Sequence, residues 1–141
     1  MQDLEERYKN LEYNLEVSDE QSIDPSNLLV FPYAYSGSEA EVIIDTDEFT
    51  AVCPWTGLPD FGTLTIRYVP QSFCLELKSV KYYLLSYRSV GIVQEHAANR
   101  ILEDLKAACK PIRMALTLDY KTRGGLHTVV MANYSSQDGR Q

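Results

Sequence analysis

A cysteine and an aspartate bracket a short, stiff turn near the middle of the chain. The stretch at residues 53–62 reads CPWTGLPDFG. Its two prolines restrict the backbone, and Gly57 permits a positive φ. The thiolate of Cys53 would be a nucleophile, and the carboxyl group of Asp60 could donate a proton to whatever the sulfur attacks. Taken alone, such a stretch more commonly indicates a proline-rich hairpin whose cysteine is a small buried hydrophobic residue.

Two lysines three residues apart form a second candidate site. The stretch at residues 76–83 reads ELKSVKYY, and Lys78 and Lys81 would face one way at the start of a helix. A helix N-terminus attracts anions, so lysines placed there suit a phosphate group. The alternative is a solvated charged patch. Arg123, beside the glycine pair at 124–125, is a third candidate cation, or simply an exposed hairpin residue.

Glu95 opens a later predicted helix, where a carboxylate usually complements the helix dipole. The functional alternative is bidentate recognition, in which the carboxylate accepts two parallel N–H bonds from a guanine-like edge. His96 follows it and is more typical of a surface histidine than of a catalyst.

The bulk composition favours one soluble enzyme-sized domain. The 141 residues suffice for a modest core, and 45% hydrophobic with 23% charged residues is typical of globular proteins. We find no apolar run that would span a bilayer and no signal-peptide pattern, so we expect a cytoplasmic protein without a membrane partner. The formal charge of -7 argues against direct nucleic-acid binding.

Cysteine and histidine usage argues against disulfides and metal. The three cysteines form no CxxC pair and are odd in number, so we expect free thiols in a reducing compartment. The two histidines belong to no ligand cluster, so we expect no zinc or other metal.

Hydrophobic periodicity predicts an α+β domain. The predicted elements, in chain order, are strands at 39–52 and 63–69, an extended piece at 73–77, a helix from 78 that ends before Gly91, a helix at 94–109, and strands at 112–120 and 126–134 joined by a tight hairpin at 121–125. This order, ββααββ, predicts an antiparallel four-stranded sheet with two helices on one face. Copies that join edge to edge into a shared barrel would cover the other face and both sheet edges.

The residues before the first main strand are less regular. Apolar residues at helical spacing between residues 4 and 15 suggest a short helix, and a turn signal at 24–27 precedes an extended stretch at 28–35. We therefore divide the chain into a partly irregular N-terminal extension, 1–38, and a single catalytic domain, 39–141.

Two motifs together resemble those of a known enzyme family, the NADPH-dependent 7-cyano-7-deazaguanine reductases of the queuosine pathway of tRNA modification. The stretch at 76–83 matches the signature E-[SL]-K-[SA]-hydrophobic-K-[LY]-[YFW] at every position. The stretch at 53–61 matches the family's catalytic loop, and Arg123-Gly124-Gly125 its late hairpin. The resemblance runs from about residue 40 to 134, and the length is similar to that of the family's short, single-module branch.

The resemblance implies roles for individual residues. Cys53 adds to the nitrile carbon and forms a covalent thioimide, and Asp60 donates protons. Glu95 reads the deazaguanine ring, with Glu76 as a plausible second contact. The positions implied for binding the phosphates of NADPH are Lys78, Lys81, Arg123 and Gly124.

The resemblance also implies a fold and partners. The fold is the tunnelling (T-) fold, a homo-oligomer with sites between subunits, as a decamer of two pentamers. The substrate is 7-cyano-7-deazaguanine, and two NADPH per nitrile give the aminomethyl product. Neither a metal nor direct nucleic-acid contact is implied.

One position departs from the family pattern. Many members carry histidine immediately before the ring-reading glutamate, where this chain has Gln94; the nearest histidine, His96, lies just after it. The two positions point in different directions on a helix, so the histidine's role does not transfer to His96. Contact with the substrate through Gln94 or His96 stays open.

Three other functions are weighed against the reductase. An amidinotransferase-type relative would keep the Cys53 loop without NADPH, but the intact lysine motif argues against it. A zinc enzyme of the same fold acting on pterins would need a ligand cluster. A non-catalytic oligomeric binding module would leave Cys53 as a core residue.

Overall fold

The computed structural model describes residues 4–13 and 16–136. The elements are α1 (Leu4–Tyr13), two single-turn 3-10 helices (Glu20–Ser22 and Pro25–Asn27), β1 (Val30–Pro32), β2 (Val42–Val52), β3 (Pro59–Val69), β4 (Phe73–Leu75), α2 (Leu77–Leu85), α3 (Gln94–Cys109), β5 (Arg113–Tyr120) and β6 (Val129–Ser135). The predicted α+β class is confirmed.

The main sheet is antiparallel, with strand order β2-β3-β5-β6. Alternate residues of β3 and β5 are buried, including Leu64 and Ile66 on one strand and Leu116 and Leu118 on the other. This period of two directs one face of the sheet into the core.

The helix α3 covers that face with an apolar stripe. Ala97, Ala98, Ile101 and Leu105 have no exposed surface, and α3 contacts β5 and β6. Its bounds are those that the sequence predicts. The helix ends at Cys109. The next residue, Lys110, has a left-handed φ of 48° and turns the chain before Pro111.

The helix α2 is shorter than predicted. The sequence predicts a helix from residue 78 that ends before Gly91, but α2 ends at Leu85. The Ser86 hydroxyl donates to the Tyr83 carbonyl at 2.6 Å, and the next residues continue in tighter i→i+3 turns. Gly91 does not end the helix; it lies beside the end of β2.

Three strands begin three or four residues away from the predicted start. The strand β2 begins at Val42 rather than at residue 39. The strand β3 begins at Pro59 rather than at residue 63, so Asp60 lies on a strand and not on a loop. The strand β6 begins at Val129, and the connection from β5 spans residues 121–128. The tight turn inside that connection lies between Arg123 and Leu126.

The N-terminal segment packs on the body of the chain. The strand β1 pairs antiparallel with β4, and Ile23 is buried in the core. The predicted extended stretch at 28–35 is a strand only over Val30–Pro32. The predicted short helix corresponds to α1, although residue 15 lies outside the described residues. The division at residue 38 stays a prediction.

A buried polar network joins α2 to α3. The Tyr83 hydroxyl donates to Asp104 Oδ2 at 2.6 Å and contacts the Tyr87 hydroxyl at 2.8 Å. Arg100 Nε donates to the same carboxylate oxygen at 2.8 Å. Because buried polar groups are costly unless paired, this network fixes the relation of the two helices.

No helix among residues 4–13 and 16–136 is long and apolar enough to cross a membrane.

Candidate active site

The Cys53 turn is closed by its own backbone. The Cys53 N–H donates to the Leu58 carbonyl at 2.9 Å, and the Gly57 N–H donates to the Cys53 carbonyl at 2.8 Å. Gly57 has a φ of 74°, the positive value that the sequence analysis allows for. The turn holds Cys53 at the end of β2 with 7% of its surface exposed.

The environment of Cys53 stabilises its thiolate. A hydrogen bond from the Thr56 hydroxyl lowers the pKa of Cys53 most; the backbone N–H groups of Thr56 and Trp55 and the charge of Arg123 lower it further against the effect of burial. Burial instead raises the pKa of Cys109 to about 12. Because the thiolate is the reactive form, Cys53 is suited to nucleophilic attack and Cys109 is not.

Asp60 occupies a position where the strand pattern calls for an apolar residue. It lies opposite Ala51, on the buried side of β3, and is 6% exposed. Burial raises the pKa of Asp60, and the ion pair with Arg123 opposes that rise without cancelling it. A carboxyl group in this state can both hold and release a proton nearer to neutral pH than an exposed aspartate.

Arg123 reaches Asp60 from the connection between β5 and β6. Its guanidinium forms an ion pair with Asp60 Oδ1, while about half of the arginine side chain, 52%, stays exposed. The resemblance groups Arg123 with the lysines of α2, but the structure brings it to the carboxylate beside the Cys53 turn. The neighbouring glycine, Gly124, has a φ of 61° and allows the connection to turn there.

The start of α3 lies against the Cys53 turn. The Val52 N–H donates to the Val90 carbonyl at 3.0 Å, and the Ile92 N–H donates to the Val52 carbonyl at 3.1 Å. Between them, Gly91 approaches Pro54 so closely that a Cβ would lie 3.0 Å from Pro54 Cα. The absence of a side chain at Gly91 therefore allows this close contact between the linker and the Cys53 turn.

The first turn of α3 presents the predicted ring-reading residues. Glu95 and His96 are exposed, and Gln94 is half-buried. The Gln94 carbonyl accepts a hydrogen bond from the Tyr120 hydroxyl at 3.3 Å. The structure thus brings Glu95 to the same region as Cys53 and Asp60.

Tyr120 joins these parts, and the sequence analysis assigns it no role. It is 2% exposed, and burial, then the charges of Asp60 and Glu95, raise its pKa. It therefore stays protonated and donates between the end of β5 and the start of α3. In the sequence it resembles any core tyrosine at a strand end, so no local signal marks it. Thr56 is likewise missed, although it stands in the motif.

Glu76, Lys78 and Lys81 form a second group, at the start of α2. Both carboxylate oxygens of Glu76 accept backbone N–H groups, from Ser79 at 2.8 Å and from Lys78 at 3.0 Å, and these bonds lower the pKa of Glu76. Lys78 and Lys81 are exposed and line different depressions, one beside Asp24 and the other between α2 and β2.

The two lysines lie at different points along α2. Lys78 is the second and Lys81 the fifth of its nine residues. The depressions that they line contain neither Cys53 nor Asp60, although that of Lys81 includes Thr50, three residues before Cys53.

Among the residues that the structure describes, no three His, Cys, Asp or Glu side chains gather in a way that could hold a metal ion.

Comparison with known proteins places the chain. A family model described as QueF-like protein matches residues 59–139. The chain belongs to the QueF-like protein family. The match includes Asp60, the lysine motif, Glu95 and Arg123.

Several relatives of this QueF-like chain carry the same name, NADPH-dependent 7-cyano-7-deazaguanine reductase. The protein from Caldicellulosiruptor bescii is 51% identical over 81% of this chain and 87% of its own length. The protein from Elusimicrobium minutum is 54% identical over 69% of this chain and 74% of its own length. The protein from Caldanaerobacter subterraneus subsp. tengcongensis is 44% identical over 96% of this chain and 99% of its own length.

A solved structure has a similar fold. The archaeosine synthase QueF-Like in its apo form superposes with a TM-score of 0.63 at 28% identity, covering 68% of this chain and 94% of that one. A protein of similar fold therefore carries a different named activity.

Proposed function

We propose that this chain reduces the nitrile of 7-cyano-7-deazaguanine to the aminomethyl group with NADPH, a step of queuosine biosynthesis. The observation that carries the proposal is the pairing of a stabilised thiolate at Cys53 with the buried carboxyl group of Asp60. The reductase names of relatives 44–54% identical support the substrate and the reductant.

The first step is addition of sulfur to the nitrile. A bond forms between Cys53 Sγ and the nitrile carbon, and C≡N becomes C=N. The proton of the thiol passes to the nitrile nitrogen, with Asp60 as its carrier. The product is a covalent thioimide, whose C=N accepts a hydride more readily than a nitrile does.

Reduction then requires a hydride donor and protons. When bound, NADPH would supply two hydrides per nitrile, and the S–C bond would break between the two reductions, which returns Cys53 as its thiolate. The exposed ammonium groups of Lys78 and Lys81 fit its phosphate groups. Arg123 fits less directly, because its guanidinium is engaged by Asp60.

Glu95 recognises the deazaguanine ring in this proposal. Its exposed carboxylate at the start of α3 can accept two parallel N–H bonds from the ring edge. Contact of Gln94 or His96 with the substrate remains a weaker proposal. A contact from Glu76 would compete with the two backbone N–H bonds that its carboxylate accepts.

The complete site lies between copies of the chain. Support comes from the placement of Lys78 and Lys81, which line depressions without Cys53 or Asp60, since a neighbouring copy can supply what one copy keeps apart. The edge strands β2 and β6 also offer backbone groups to neighbours. We therefore propose the tunnelling fold, a shared barrel built as a decamer of two pentamers in the cytoplasm.

The proposed function is tested by following NADPH oxidation by absorbance when 7-cyano-7-deazaguanine is added. We expect two NADPH oxidised per nitrile, and no oxidation by Cys53→Ala. The matched control is Cys109→Ala, which removes an unreactive buried thiol and should retain turnover. Turnover by Cys53→Ala at the wild-type rate would contradict the proposal.

A second candidate function is suggested by the fold neighbour named archaeosine synthase. A transferase of that kind would form the same adduct at Cys53 and consume no NADPH. The lysine motif at 76–83 and the higher identity to the reductases favour reduction. A covalent adduct without NADPH oxidation would favour the transferase.

A further inference from the structure

We propose that Arg123 is a positioning residue for proton transfer: its ion pair with Asp60 keeps that carboxylate charged, and so ready to accept the Cys53 proton, before NADPH binds. This inference rests on the proposed function. It differs from the role that the resemblance implies for Arg123, which is to hold a cofactor phosphate.

The geometry provides the first support. Arg123 and Asp60 are 63 residues apart in sequence, yet their side chains form an ion pair at the Cys53 turn. Asp60 is 6% exposed, whereas about half of the Arg123 side chain reaches solvent. A buried carboxylate needs an ion-pair or hydrogen-bond partner to stay charged, whereas a half-exposed guanidinium is already solvated by water.

The position of Asp60 provides the second support. The inward side of β3 is otherwise apolar or glycine between residues 60 and 66. Asp60, which lies opposite Ala51, is therefore the one charged group on that side of this part of the strand. Arg123 forms an ion pair with this carboxylate, and its positive charge opposes the rise that burial causes in the pKa of Asp60. Removing Arg123 would leave burial unopposed and favour the neutral acid.

The other titratable groups of the site act on the same balance. Cys53 lies at the turn between β2 and β3, and the guanidinium of Arg123 also lowers the pKa of its thiol. Tyr120 faces it from β5, and its pKa is raised partly by the charge of Asp60. Glu95 acts on Tyr120 from α3. The positive charge of Arg123 is therefore set against two acidic groups that exchange one proton.

The proton transfer balances without the cofactor. As the S–C bond forms, the Cys53 proton moves to the Asp60 carboxylate, and the neutral acid then gives it to the nitrile nitrogen. Asp60 returns to its charged form, which Arg123 stabilises. The addition of a thiol across C≡N is redox-neutral, so this step needs neither NADPH nor another reductant.

The test measures the rate of adduct formation against pH with 7-cyano-7-deazaguanine alone, by intact mass, without NADPH. We expect Arg123→Gln to slow the adduct at least tenfold at neutral pH and to move the pH midpoint upward. Arg123→Lys keeps the charge and should restore part of the rate at the wild-type midpoint. The matched control is Lys121→Gln, which removes a nearby exposed cation and should behave as the wild type.

A double variant separates an effect through Asp60 from a direct effect on Cys53. In an Asp60→Asn background, Arg123→Gln should change the rate less than twofold. A tenfold effect in that background would overturn the inference, because Arg123 would then act on the thiol directly.

The remaining outcomes decide between the two roles of Arg123. If Arg123→Gln keeps the wild-type adduct profile and loses only NADPH oxidation, Arg123 serves the cofactor and the inference is wrong. An equal fall in rate at every pH would mean a structural role and would also overturn it. If the wild type forms no adduct at all, the proposed thioimide route fails and the inference fails with it.

Discussion

Cys53 and Asp60 have pKa values displaced toward each other. Hydrogen bonding from Thr56 lowers the pKa of the thiol, and burial raises the pKa of the carboxyl group. Proton transfer between two groups is easiest when their pKa values are close. The same turn therefore both activates a nucleophile and prepares the proton carrier that its attack requires.

The Thr56 hydroxyl is the group that lowers the pKa of Cys53 most, so its removal should be measurable. Thr56→Val should raise the pKa of Cys53 and slow its alkylation by iodoacetamide about fivefold at neutral pH, as expected for a hydrogen bond that contributes about 1 kcal/mol. Thr56→Ser retains the hydroxyl and should restore the rate, while Thr63→Val on the exposed side of β3 serves as the control. Peptide mapping of the alkylated thiol gives the rate. An unchanged rate in Thr56→Val would contradict the assignment.

Asp60 should lower the stability of the protein at neutral pH. Its folded pKa is raised, so the stability linked to this group is present below the unfolded pKa and is lost as the pH rises through the folded pKa. Asp60→Asn should therefore increase the free energy of unfolding at pH 7 by about 1 kcal/mol, because it removes a poorly solvated charge. The difference from wild type should vanish near pH 3.

Urea unfolding at both pH values tests this expectation. Asp45→Asn, which removes an exposed carboxylate from β2, should leave stability unchanged. A loss of stability in Asp60→Asn at pH 7 would show that the ion pair with Arg123 outweighs burial, against the proposed balance.

Residue types and spacing selected Cys53 with Asp60 and, separately, Glu95 as candidates. The family resemblance joined them into one site, and the structure places them in one region. The contact of Arg123 with Asp60 could not be predicted, since it joins positions 63 residues apart. Nor could the hydroxyl of Tyr120, because buried tyrosines with and without a polar partner look alike in sequence.

At the scale of elements, hydrophobic periodicity predicted those helices and strands whose bounds follow from their own local sequence. The apolar stripe of α3 and the alternating apolar residues of β5 correctly predicted where these two elements lie. The end of α2 was missed because the Ser86 hydroxyl and tertiary packing end it, not a glycine. The start of β3 was missed because pairing with β2 continues through the prolines that indicate a loop.

The close approach of Gly91 to Pro54 should make Gly91→Ala harmful to both stability and activity. The new Cβ would lie 2.6 Å from Val17 Cγ1 and 3.0 Å from Pro54 Cα, so the Cys53 turn must shift. We expect a loss of about 1–3 kcal/mol, typical of overpacking, with slower adduct formation at Cys53.

Thermal melting and intact mass give the two readouts for Gly91→Ala. Adding Val17→Ala relieves one of the two contacts and should recover part of the stability. Ser89→Ala, on the exposed side of the same linker, is the control and should melt as the wild type does. Wild-type stability and rate in Gly91→Ala would mean that the turn and the linker are not coupled.

At the scale of the whole molecule, a single copy of the chain leaves parts of its sheet uncovered. The outward face of the sheet is exposed, with Arg67, Asp119 and Met131 among its residues, and β2 and β6 are its edges. The depressions that Lys78 and Lys81 line contain neither Cys53 nor Asp60. A ring in which neighbouring copies meet would pair the edges and bring the two groups together.

Activity should therefore depend on assembly. On dilution, the specific NADPH oxidation rate should fall over the same concentration range in which sedimentation shows dissociation. A stable monomer with full specific activity would contradict sites shared between copies.

The most direct measurement of the central claim is the location of the covalent bond. Wild-type protein is mixed with 7-cyano-7-deazaguanine without NADPH, denatured, and examined by intact mass and peptide mapping, beside Cys53→Ala and Cys109→Ala. We predict that the wild type and Cys109→Ala gain the full mass of the nitrile on Cys53, because addition releases no atoms, and that Cys53→Ala gains nothing. An adduct on another residue, or the same gain of mass in Cys53→Ala, would contradict the role of Cys53 as the nucleophile.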